Sequence, residues 1–324
     1  MLSDPGLAVF EEQRPRLFGI AYRMLGSAHD AEDAVQDAWL RWAGADRAAV
    51  ESVPAFLTAV ITRLCLNRLA SARVRRETYP GPWLPEPVLT PDPALGPLDT
   101  AELRESVSLA LLVTLEQLTP AERAVYVLRE AFEYSHREVA VAVELSEGHC
   151  RQLHSRARRH LAAHTRPVPA PDRARWTELV ERFLAAARGG DLTALEAMLA
   201  ADVTAWSDGG GQVPAARRPV HGRAAVARYL AGVTAARYTD GLQLAVGEVN
   251  GEPAVLVWSG GGLGGVLTVE IDAAGAVRTT RFLVNPDKLV FLARRHAALS
   301  RSGPSPSGPS RPWLSRFEAF PGHP

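Results

Sequence analysis

The chain has 324 residues, enough for two or three domains, and its 36 basic residues balance its 36 acidic residues. That balance excludes a uniformly basic protein, so any nucleic-acid-binding surface must be local, and 47% hydrophobic residues argue against global disorder. Two cysteines are too few for a disulfide framework or a metal site of their own. We find no apolar run near the roughly 18 residues of a membrane span and no signal-peptide pattern, so we expect a cytoplasmic protein.

Residues 6–76 form the first predicted module, which is helical. In the run "GSAHDAEDAVQDAWLRWAG" (26–44), Ser27 is placed to cap a helix. One stripe of this helix is apolar and consists of Ala31, Val35, Ala38 and Trp42. A second stripe is acidic, ends in Leu40, and comprises Glu32, Asp33, Gln36 and Asp37. Acidic residues favour helix starts and are commonly solvated, but the pattern also fits a docking surface for a basic protein partner.

The run "VPAFLTAVITRLCLNRLASARVRR" (53–76) is a second helix with one apolar face and a basic C-terminal end. A polar stripe with hydrogen-bonding capacity follows its length. The stripe consists of Thr62, Arg63, Asn67, Arg68 and Ser71. Basic and amide side chains in this arrangement can hold a nucleic-acid backbone and read bases.

Residues 77–100 are rich in proline and show no hydrophobic periodicity, which predicts a linker. The stretch "YPGPWLPEP" (79–87) nevertheless contains Trp83 and Leu84, two large apolar side chains that a spacer does not need. These residues predict that the linker packs against another part of the protein.

Residues 101–165 form a second helical module. In "YSHREVAVAVELSEGHCRQLHSRARRHL" (134–161), a short helix, a tight turn and a longer helix follow one another, as in a helix-turn-helix. The longer helix has an inward stripe of Cys150, Leu153, Ala157 and Leu161. Its candidate DNA-reading residues are Ser146, His149, Arg151, Gln152, Ser155 and Arg156. A helical hairpin with a solvated basic face remains an alternative, and Glu144 stands where such turns often have glycine.

After a second linker (166–173), residues 174–296 combine helices with strands. Helical patterns at 174–188, 191–200 and 221–233 precede four strand-like runs joined by turn sequences such as Asn250-Gly251. These runs predict a four-stranded antiparallel meander in an α+β domain. Residues 297–324 have low complexity, and we expect them to form a disordered tail. The fold class is therefore multidomain, with two all-α modules and one α+β domain.

The segments "DAEDAVQDAWLRW", "ITRLCLNRLASARVRRE" and "LTPAERAVYVLREAFEYSHREVAVAVELSEGHCRQLHSRARRHL" together resemble the two conserved regions of bacterial extracytoplasmic-function (ECF) sigma factors. The resemblance implies a subunit that binds core RNA polymerase and directs promoter-specific transcription initiation, without enzymatic activity, cofactor or metal. Residues 6–76 would be sigma region 2 and residues 101–165 sigma region 4.

The resemblance also assigns roles to the polar residues. The acidic stripe Glu32, Asp33, Gln36 and Asp37 would dock on the β′ clamp helices of the polymerase. Recognition and melting of the −10 promoter element would fall to Thr62, Arg63, Asn67, Arg68 and Ser71. The helix-turn-helix residues Ser146, His149, Arg151, Gln152, Ser155 and Arg156 would read the −35 element.

The C-terminal part resembles the SnoaL-like, NTF2-like cone domains, and one subgroup of ECF sigma factors, the sigma-J-like type, carries such a domain. That subgroup shares three motifs that this chain also contains, at 83–87 (WLPEP), 208–211 (DGGG) and 285–289 (NPDKL). The likeness implies that the C-terminal domain regulates the sigma regions in cis. The regulatory residues would be Trp83, Leu84, Pro85, Asp208, Gly209, Gly210, Asn285, Pro286, Asp287 and Lys288. Trp83 and Leu84 would anchor the linker near the other two motifs.

Other functions remain open at this point. Free-standing SnoaL relatives include cyclases and isomerases, for which Asp208, His221 and Asp240 are the candidate acid–base residues, and the domain could instead hold a small ligand. The chain could also be a helix-turn-helix regulator that does not need core polymerase, or a SnoaL-like enzyme or sensor fused to a DNA-binding module. A transcription assay with purified core polymerase distinguishes these functions from a sigma factor.

Overall fold

The computed structural model describes residues 5–95, 101–164, 173–235 and 241–302. The chain forms two compact units. The helical unit comprises Met1–Thr78 and Thr90–Arg166, and the sheet unit comprises Tyr79–Leu89 and Pro167–Pro324. The proline-rich segment that links the two helical modules therefore belongs to the sheet unit, although both of its neighbours in the sequence belong to the helical unit.

Eight α-helices lie in the described part of the helical unit. They are α1 (Pro5–Leu25), α2 (Ala28–Ala43), α3 (Val53–Glu77), α4 (Ala101–Glu105), α5 (Leu109–Leu115), α6 (Pro120–Glu130), α7 (His136–Val143) and α8 (Glu147–His164). The predicted N-cap of α2 is confirmed, because Ser27 Oγ accepts the amide hydrogen of Asp30 at 3.0 Å. Helix α6 begins with a capping box formed by Thr119 and Glu122.

The predicted inward stripes are confirmed by burial. Ala31, Val35, Ala38 and Trp42 of α2 are buried, as are Cys150, Leu153, Ala157 and Leu161 of α8. His154 of α8 is buried beside this stripe. Only 9% of His154 is exposed, and its Nε2 lies 2.6 Å from Glu130 Oε1 of α6. The carboxylate of α6 thus satisfies a polar side chain on the inner edge of α8.

One segment of α3, Val53–Ser71, is long and apolar enough to cross a membrane by length and composition, with a mean hydropathy of 1.3. The expectation that no apolar run approaches the length of a membrane span is therefore wrong for this segment. Leu57, Ile61 and Cys65 of α3 are buried, and the helix contacts α1, α2, α6 and α7. The apolar composition of α3 is therefore that of a central core helix.

The sheet unit contains a six-stranded sheet and four described helices. The elements are α9 (Arg173–Gly189), α10 (Leu192–Met198), β1 (Leu199–Asp208), β2 (Val220–His221), α11 (Arg223–Val233), β3 (Gln243–Val249), β4 (Glu252–Ser259), β5 (Gly262–Ile271), β6 (Val277–Leu283) and α12 (Pro286–Ser302). The strand order is β2-β1-β6-β5-β4-β3. The predicted antiparallel meander β3–β6 is confirmed.

Strand β1 was not predicted from the sequence. It pairs in parallel with β6 and antiparallel with the short strand β2. Helix α12 continues through Ser302, beyond the expected domain end at 296, and residues 303–324 of the predicted tail lie outside the described residues.

The core of the sheet unit lies between the sheet and helices α9–α11. Its large members include Trp176, Phe183, Leu230 and Leu267, and the indole nitrogen of Trp176 donates to the carbonyl oxygen of Val269 at 3.1 Å. Apolar side chains of these helices thus pack against this face of the sheet. The sheet ends that carry Asp208 and Leu283 lead into the DGGG turn and the NPDKL helix start, so the fold brings these two motifs together.

Candidate functional site

The predicted polymerase-docking stripe and the predicted −10 stripe meet through an ion pair. Arg68 Nη2 of α3 lies 2.6 Å from Asp37 Oδ2 of α2, and Arg68 Nη1 lies 3.8 Å from Asp33 Oδ2. Both aspartate side chains are 45% exposed. Leu40, at the end of the stripe, is 62% exposed, Gln36 is exposed and Glu32 is half-buried. The stripe is therefore an acidic surface with one exposed apolar residue, Leu40, and Arg68 partly neutralises its negative charge.

The polar stripe of α3 is exposed at Arg63, Asn67 and Ser71. Thr62 differs from the expectation that it reads DNA, because it is fully buried and its hydroxyl donates to the carbonyl oxygen of Thr58 at 2.7 Å. Its position in the helix turns it towards the core, where its hydroxyl is satisfied by the preceding turn. The structure therefore removes Thr62 from the surface of α3.

The helix-turn-helix consists of α7, the turn 144–146 and α8. Ser146 Oγ accepts the amide hydrogen of His149 at 3.2 Å and so caps α8. The remaining candidate residues His149, Arg151, Gln152, Ser155 and Arg156 are exposed, as is Ser146. Arg151 forms an ion pair with Glu147 one turn earlier in α8. The arrangement presents one polar, mainly basic face beside a buried apolar stripe.

A basic concavity adjoins this face and was not singled out from the sequence. Its lining residues are His136, Arg151, His154, Ser155, Arg158, Arg159 and Ala162. Burial and the neighbouring Arg129, His154 and Arg151 lower the pKa of His136 below its ordinary value. Arg158 and Arg159 lie one helical turn after Ser155 and share the exposed face of α8 with Arg151 and Ser155. This helical spacing is the sequence signal that could have identified them.

The linker binds the sheet unit through a buried ion pair. Lys288 Nζ lies 2.7 Å from Asp208 Oδ2, and both residues are buried. The same Asp208 oxygen accepts the amide hydrogen of Leu84 at 2.9 Å, while Lys288 Nζ donates to the carbonyl oxygen of Leu84 at 2.6 Å. The negative charge of Asp208 thus binds the backbone amide of Leu84, and the positive charge of Lys288 binds its carbonyl oxygen. The Leu84 side chain is fully buried.

Two aromatic residues of the linker complete this contact. The Tyr79 hydroxyl donates to Asp208 Oδ1 at 2.5 Å and accepts a hydrogen bond from Asn285 Nδ2 at 2.8 Å. Burial and this carboxylate raise the pKa of Tyr79 above its ordinary value. The Lys288 ammonium lies 4.7 Å from the centroid of the Tyr79 ring and 4.1 Å from that of Trp83. Trp83 therefore contacts the charge that holds its neighbour Leu84.

The glycines of the DGGG turn are required by close approach and backbone conformation. Gly210 and Gly211 have φ values of 60° and 75°. A Cβ on Gly210 would lie 2.3 Å from Asn285 Nδ2, and one on Gly211 would lie 2.8 Å from Pro80 Cγ of the linker. The turn can therefore reach both the NPDKL segment and the linker only without side chains at these positions.

A second attachment of the linker was missed by the sequence analysis. Asn250 and Val88 exchange hydrogen bonds, from the Val88 amide to Asn250 Oδ1 at 3.1 Å and from the Asn250 amide to the Val88 carbonyl at 2.9 Å. Leu89 forms an antiparallel bridge with Val249 at the end of β3. The Asn250-Gly251 pair signalled only a hairpin turn, whereas the fully buried Asn250 also binds the linker.

We name Asp208, Asn250, Asn285 and Lys288 the linker-binding site. Of the other predicted regulatory residues, Pro85 and Gly209 are buried, while Pro286 and Asp287 are exposed. Asp287 accepts a hydrogen bond from Gln212 Nε2 at 2.5 Å, in the turn that follows the glycines. The three motifs thus form one continuous contact.

The candidate acid–base residues do not converge on a common site in the described part of the chain. Both carboxylate oxygens of Asp208 are occupied by the contacts to the linker and Lys288. His221 is exposed, and its Nδ1 lies 3.2 Å from Thr204 Oγ1. Asp240 lies outside the described residues.

Three family profiles match the chain. "Sigma-70 region 2" matches residues 9–75, "Sigma-70, region 4" matches residues 108–161, and "SnoaL-like domain" matches residues 180–290. Each profile falls on one of the three structural modules described above.

The chain is similar in sequence to two sigma factors of Mycobacterium tuberculosis. It is 42% identical to "ECF RNA polymerase sigma factor SigJ" over 247 residues, which cover 75% of this chain and 78% of SigJ. It is 32% identical to "Probable ECF RNA polymerase sigma factor SigI" over 290 residues, which cover 88% of this chain and 95% of SigI. The crystal structure of M. tuberculosis SigJ matches with a TM-score of 0.67 and 34% identity, covering 88% of this chain and 98% of that chain.

Two helical modules, the second a helix-turn-helix, and a SnoaL-like domain define a promoter-recognition protein with a C-terminal extension. The chain belongs to the ECF sigma-factor family and resembles its SigJ members. It is accordingly a subunit that binds core RNA polymerase and promoter DNA in transcription initiation. The relatives are sigma factors, which act in transcription initiation.

Proposed function

We propose that the SnoaL-like domain controls this sigma factor in cis by holding the linker between regions 2 and 4. The observation that carries the proposal is the buried pair of Asp208 and Lys288, which binds both backbone groups of Leu84. A second attachment at Asn250 holds Val88. The SnoaL-like domain therefore binds much of the chain between regions 2 and 4.

Linker binding limits the distance that regions 2 and 4 can span. Residues Tyr79–Leu89 belong to the sheet unit. Released and extended, these eleven residues would span roughly 36–40 Å. Since region 2 contacts the −10 element and region 4 the −35 element, the length of free chain between them bears directly on which promoters the protein can use. The bound linker thus favours particular spacings of the two elements.

We propose roles for three further surfaces, on helices α2, α3 and α8. Glu32, Asp33, Gln36, Asp37 and Leu40 form the contact with the β′ clamp helices of the polymerase. The exposed residues Arg63, Asn67 and Ser71 contact the −10 element, together with the partly buried Arg68, which is released from Asp37 when the acidic face docks. The exposed face of α8 reads the −35 element, and the adjoining concavity with Arg158 and Arg159 holds backbone phosphate. Because transcription initiation takes place in the cytoplasm, the protein acts there.

The contacts of the SnoaL-like domain support the linker as its partner. Trp176, Phe183 and Leu267 pack between the helices and the sheet. The buried polar residues Asp208, Asn250 and Lys288 bind the linker.

Lys288 offers a direct test of linker binding because it is the only lysine of the chain. An amine-reactive reagent applied to the folded protein can modify only Lys288 and the N-terminus. Mass spectrometry of peptides, after quenching and digestion, separates the two sites. We expect slow modification of Lys288 in the full-length protein and at least tenfold faster modification in Trp83→Ala, which removes the ring that covers the ammonium. Equal rates in both proteins would refute linker binding.

Control of activity is tested separately, on a promoter selected from a random library by the wild-type holoenzyme. Linker-releasing variants should change initiation rate or spacing preference while still binding core polymerase. Fast Lys288 modification together with unchanged initiation would refute control in cis but leave linker binding intact.

A further inference from the structure

An ion pair joins the predicted −10 helix to the turn of the helix-turn-helix within the helical unit. Arg63 Nη1 of α3 lies 3.2 Å from Glu144 Oε1, and Arg63 Nη2 donates to the carbonyl oxygen of Val141 at 3.3 Å. The Arg63 side chain is 45% exposed and that of Glu144 is 67% exposed. A guanidinium that could face DNA is therefore held by region 4.

The backbone of Glu144 is unusual for a residue with a side chain. It ends α7 in the left-handed conformation, with φ 57° and ψ 43°. Glycine is the residue that adopts this conformation without steric cost, and it is the common choice at this helix position. The local structure of the turn therefore does not explain a glutamate, whereas its contact with Arg63 does.

Several further contacts between the two modules are polar. The Tyr134 hydroxyl lies 2.6 Å from Thr58 Oγ1 and also bonds Arg16, while Arg76 forms an ion pair with Glu116. Arg123 of α6 donates to the carbonyl oxygen of Arg23 at 3.3 Å. The Arg63–Glu144 pair differs from these contacts, because both of its side chains are exposed and exposed pairs are weakened by salt and by competing anions. Another anion can thus displace Glu144 from Arg63.

We propose that Glu144 occupies Arg63 as an internal substitute for a DNA phosphate. In the protein without DNA, the carboxylate holds the guanidinium and joins regions 2 and 4. Promoter DNA binds Arg63 only when a phosphate displaces Glu144. Arg63 therefore either joins regions 2 and 4 or binds DNA, but does not do both at once. The inference rests on the proposed function of α3 as the −10 contact.

The chain provides a matched control for Glu144. Glu133 is another exposed glutamate of region 4 with a positive φ, of 56°. Replacing either residue by glycine removes one negative charge and relieves one left-handed backbone position. Only the replacement of Glu144 removes the contact with Arg63, so a difference between the two variants reports the ion pair itself.

The first experiment measures binding of the full-length protein to short mixed-sequence single-stranded DNA by fluorescence anisotropy. This probe detects backbone binding without a known promoter, because phosphate contacts do not depend on sequence. Glu144→Gly should bind about 2- to 5-fold more tightly than wild type, as expected for loss of a competing exposed ion pair. Glu133→Gly should bind as wild type does. Equal tightening in both variants would mean a general effect of charge and would overturn the proposal.

The second experiment separates failure of this inference from failure of the proposed −10 role. Arg63→Glu should weaken DNA binding and, by repelling Glu144, speed amide hydrogen exchange in the turn 144–146 and in α3. The charge swap Arg63→Glu with Glu144→Arg should restore slow exchange but not DNA binding. If exchange is not restored, the ion pair does not join the modules and the inference is wrong. If DNA binding by Arg63→Glu equals wild type, the assigned DNA role of Arg63 is wrong, whatever the exchange shows.

Discussion

Asp208 and Lys288 form a buried ion pair, 2.7 Å between Oδ2 and Nζ, whose two charges also bind the two backbone groups of Leu84. A buried pair of this kind needs further hydrogen bonds to offset the cost of removing both charges from water. Here the linker supplies most of them, through Leu84 and the Tyr79 hydroxyl, and the Gly210 amide donates one more to Asp208 Oδ1 at 3.1 Å. Binding of the linker therefore stabilises the pair, and this links the fold of the SnoaL-like domain to the position of the linker.

Lys288→Met should release the linker and destabilise the sheet unit, because it leaves the Asp208 carboxylate buried without its counter-charge. We expect a loss of about 3–5 kcal/mol in the free energy of unfolding of this unit, measured by urea denaturation. Arg228→Met, which removes an exposed cation of α11, should change it by less than about 0.5 kcal/mol. A loss in Lys288→Met no larger than that in the control would contradict the assigned role of the pair.

Gly210→Ala should disturb the linker-binding site through sterics alone. The new Cβ would lie 2.3 Å from Asn285 Nδ2, and the backbone has a positive φ of 60°. We expect a loss of more than about 1 kcal/mol in stability and faster modification of Lys288. Gly232→Ala is the matched change, since it lies in α11 with no atom within 4 Å of the added Cβ. It should raise stability by about 0.5–1 kcal/mol. Slow modification of Lys288 in Gly210→Ala would count against the close packing described here.

The Tyr79 hydroxyl should make linker binding sensitive to alkaline pH. Burial and Asp208 raise the pKa of Tyr79 in the folded protein, so the folded state favours the neutral phenol. The stability contributed by the hydroxyl is fully present below the unfolded tyrosine pKa of about 10 and is lost as pH rises above it. Tyr79→Phe should therefore flatten the decrease in stability above about pH 10 relative to wild type. Identical alkaline profiles for the two proteins would exclude this coupling.

The double change Asp33→Arg and Asp37→Arg should weaken binding to core polymerase more than it lowers fold stability, because both side chains are 45% exposed. The ion pairs to Arg68 add a cost to the fold, which we expect to be about 1 kcal/mol for half-exposed pairs. Adding Arg68→Asp should recover that stability without recovering polymerase binding. Recovery of both would mean that the acidic face acts through Arg68 rather than by docking.

The periodic elements of this protein could be predicted from its sequence, because the burial of one helix face repeats at a regular spacing. The stripes of α2 and α8 and the β3–β6 meander are of this kind. The packing of Trp83 beside Lys288 was expected from the coincidence of three motifs rather than from any period.

Features that depend on contacts distant in sequence could not be predicted. Strand β1 is recognisable only once β6 lies beside it in parallel, and the buried Asn250 is distinguished from an ordinary turn residue only by Val88, which precedes it by 162 positions. Likewise, the contacts of Arg63 and Arg68 arise from helices that approach α3 from elsewhere in the chain. Thr62 is a different case, because its helical spacing to Cys65 and Leu69 places it on the buried face and only its polar residue type suggested the surface.

The central claim is that the SnoaL-like domain sets the reach between regions 2 and 4 by binding the linker. Its most direct test is transcription from a promoter series in which only the spacing between the −35 and −10 elements varies, using core polymerase with wild-type or Trp83→Ala protein. We predict a narrow optimum of spacing for wild type and a broader or shifted optimum for Trp83→Ala, at equal polymerase binding. The same optimum and the same breadth for both proteins, with Lys288 shown to be exposed in the variant, would contradict the claim.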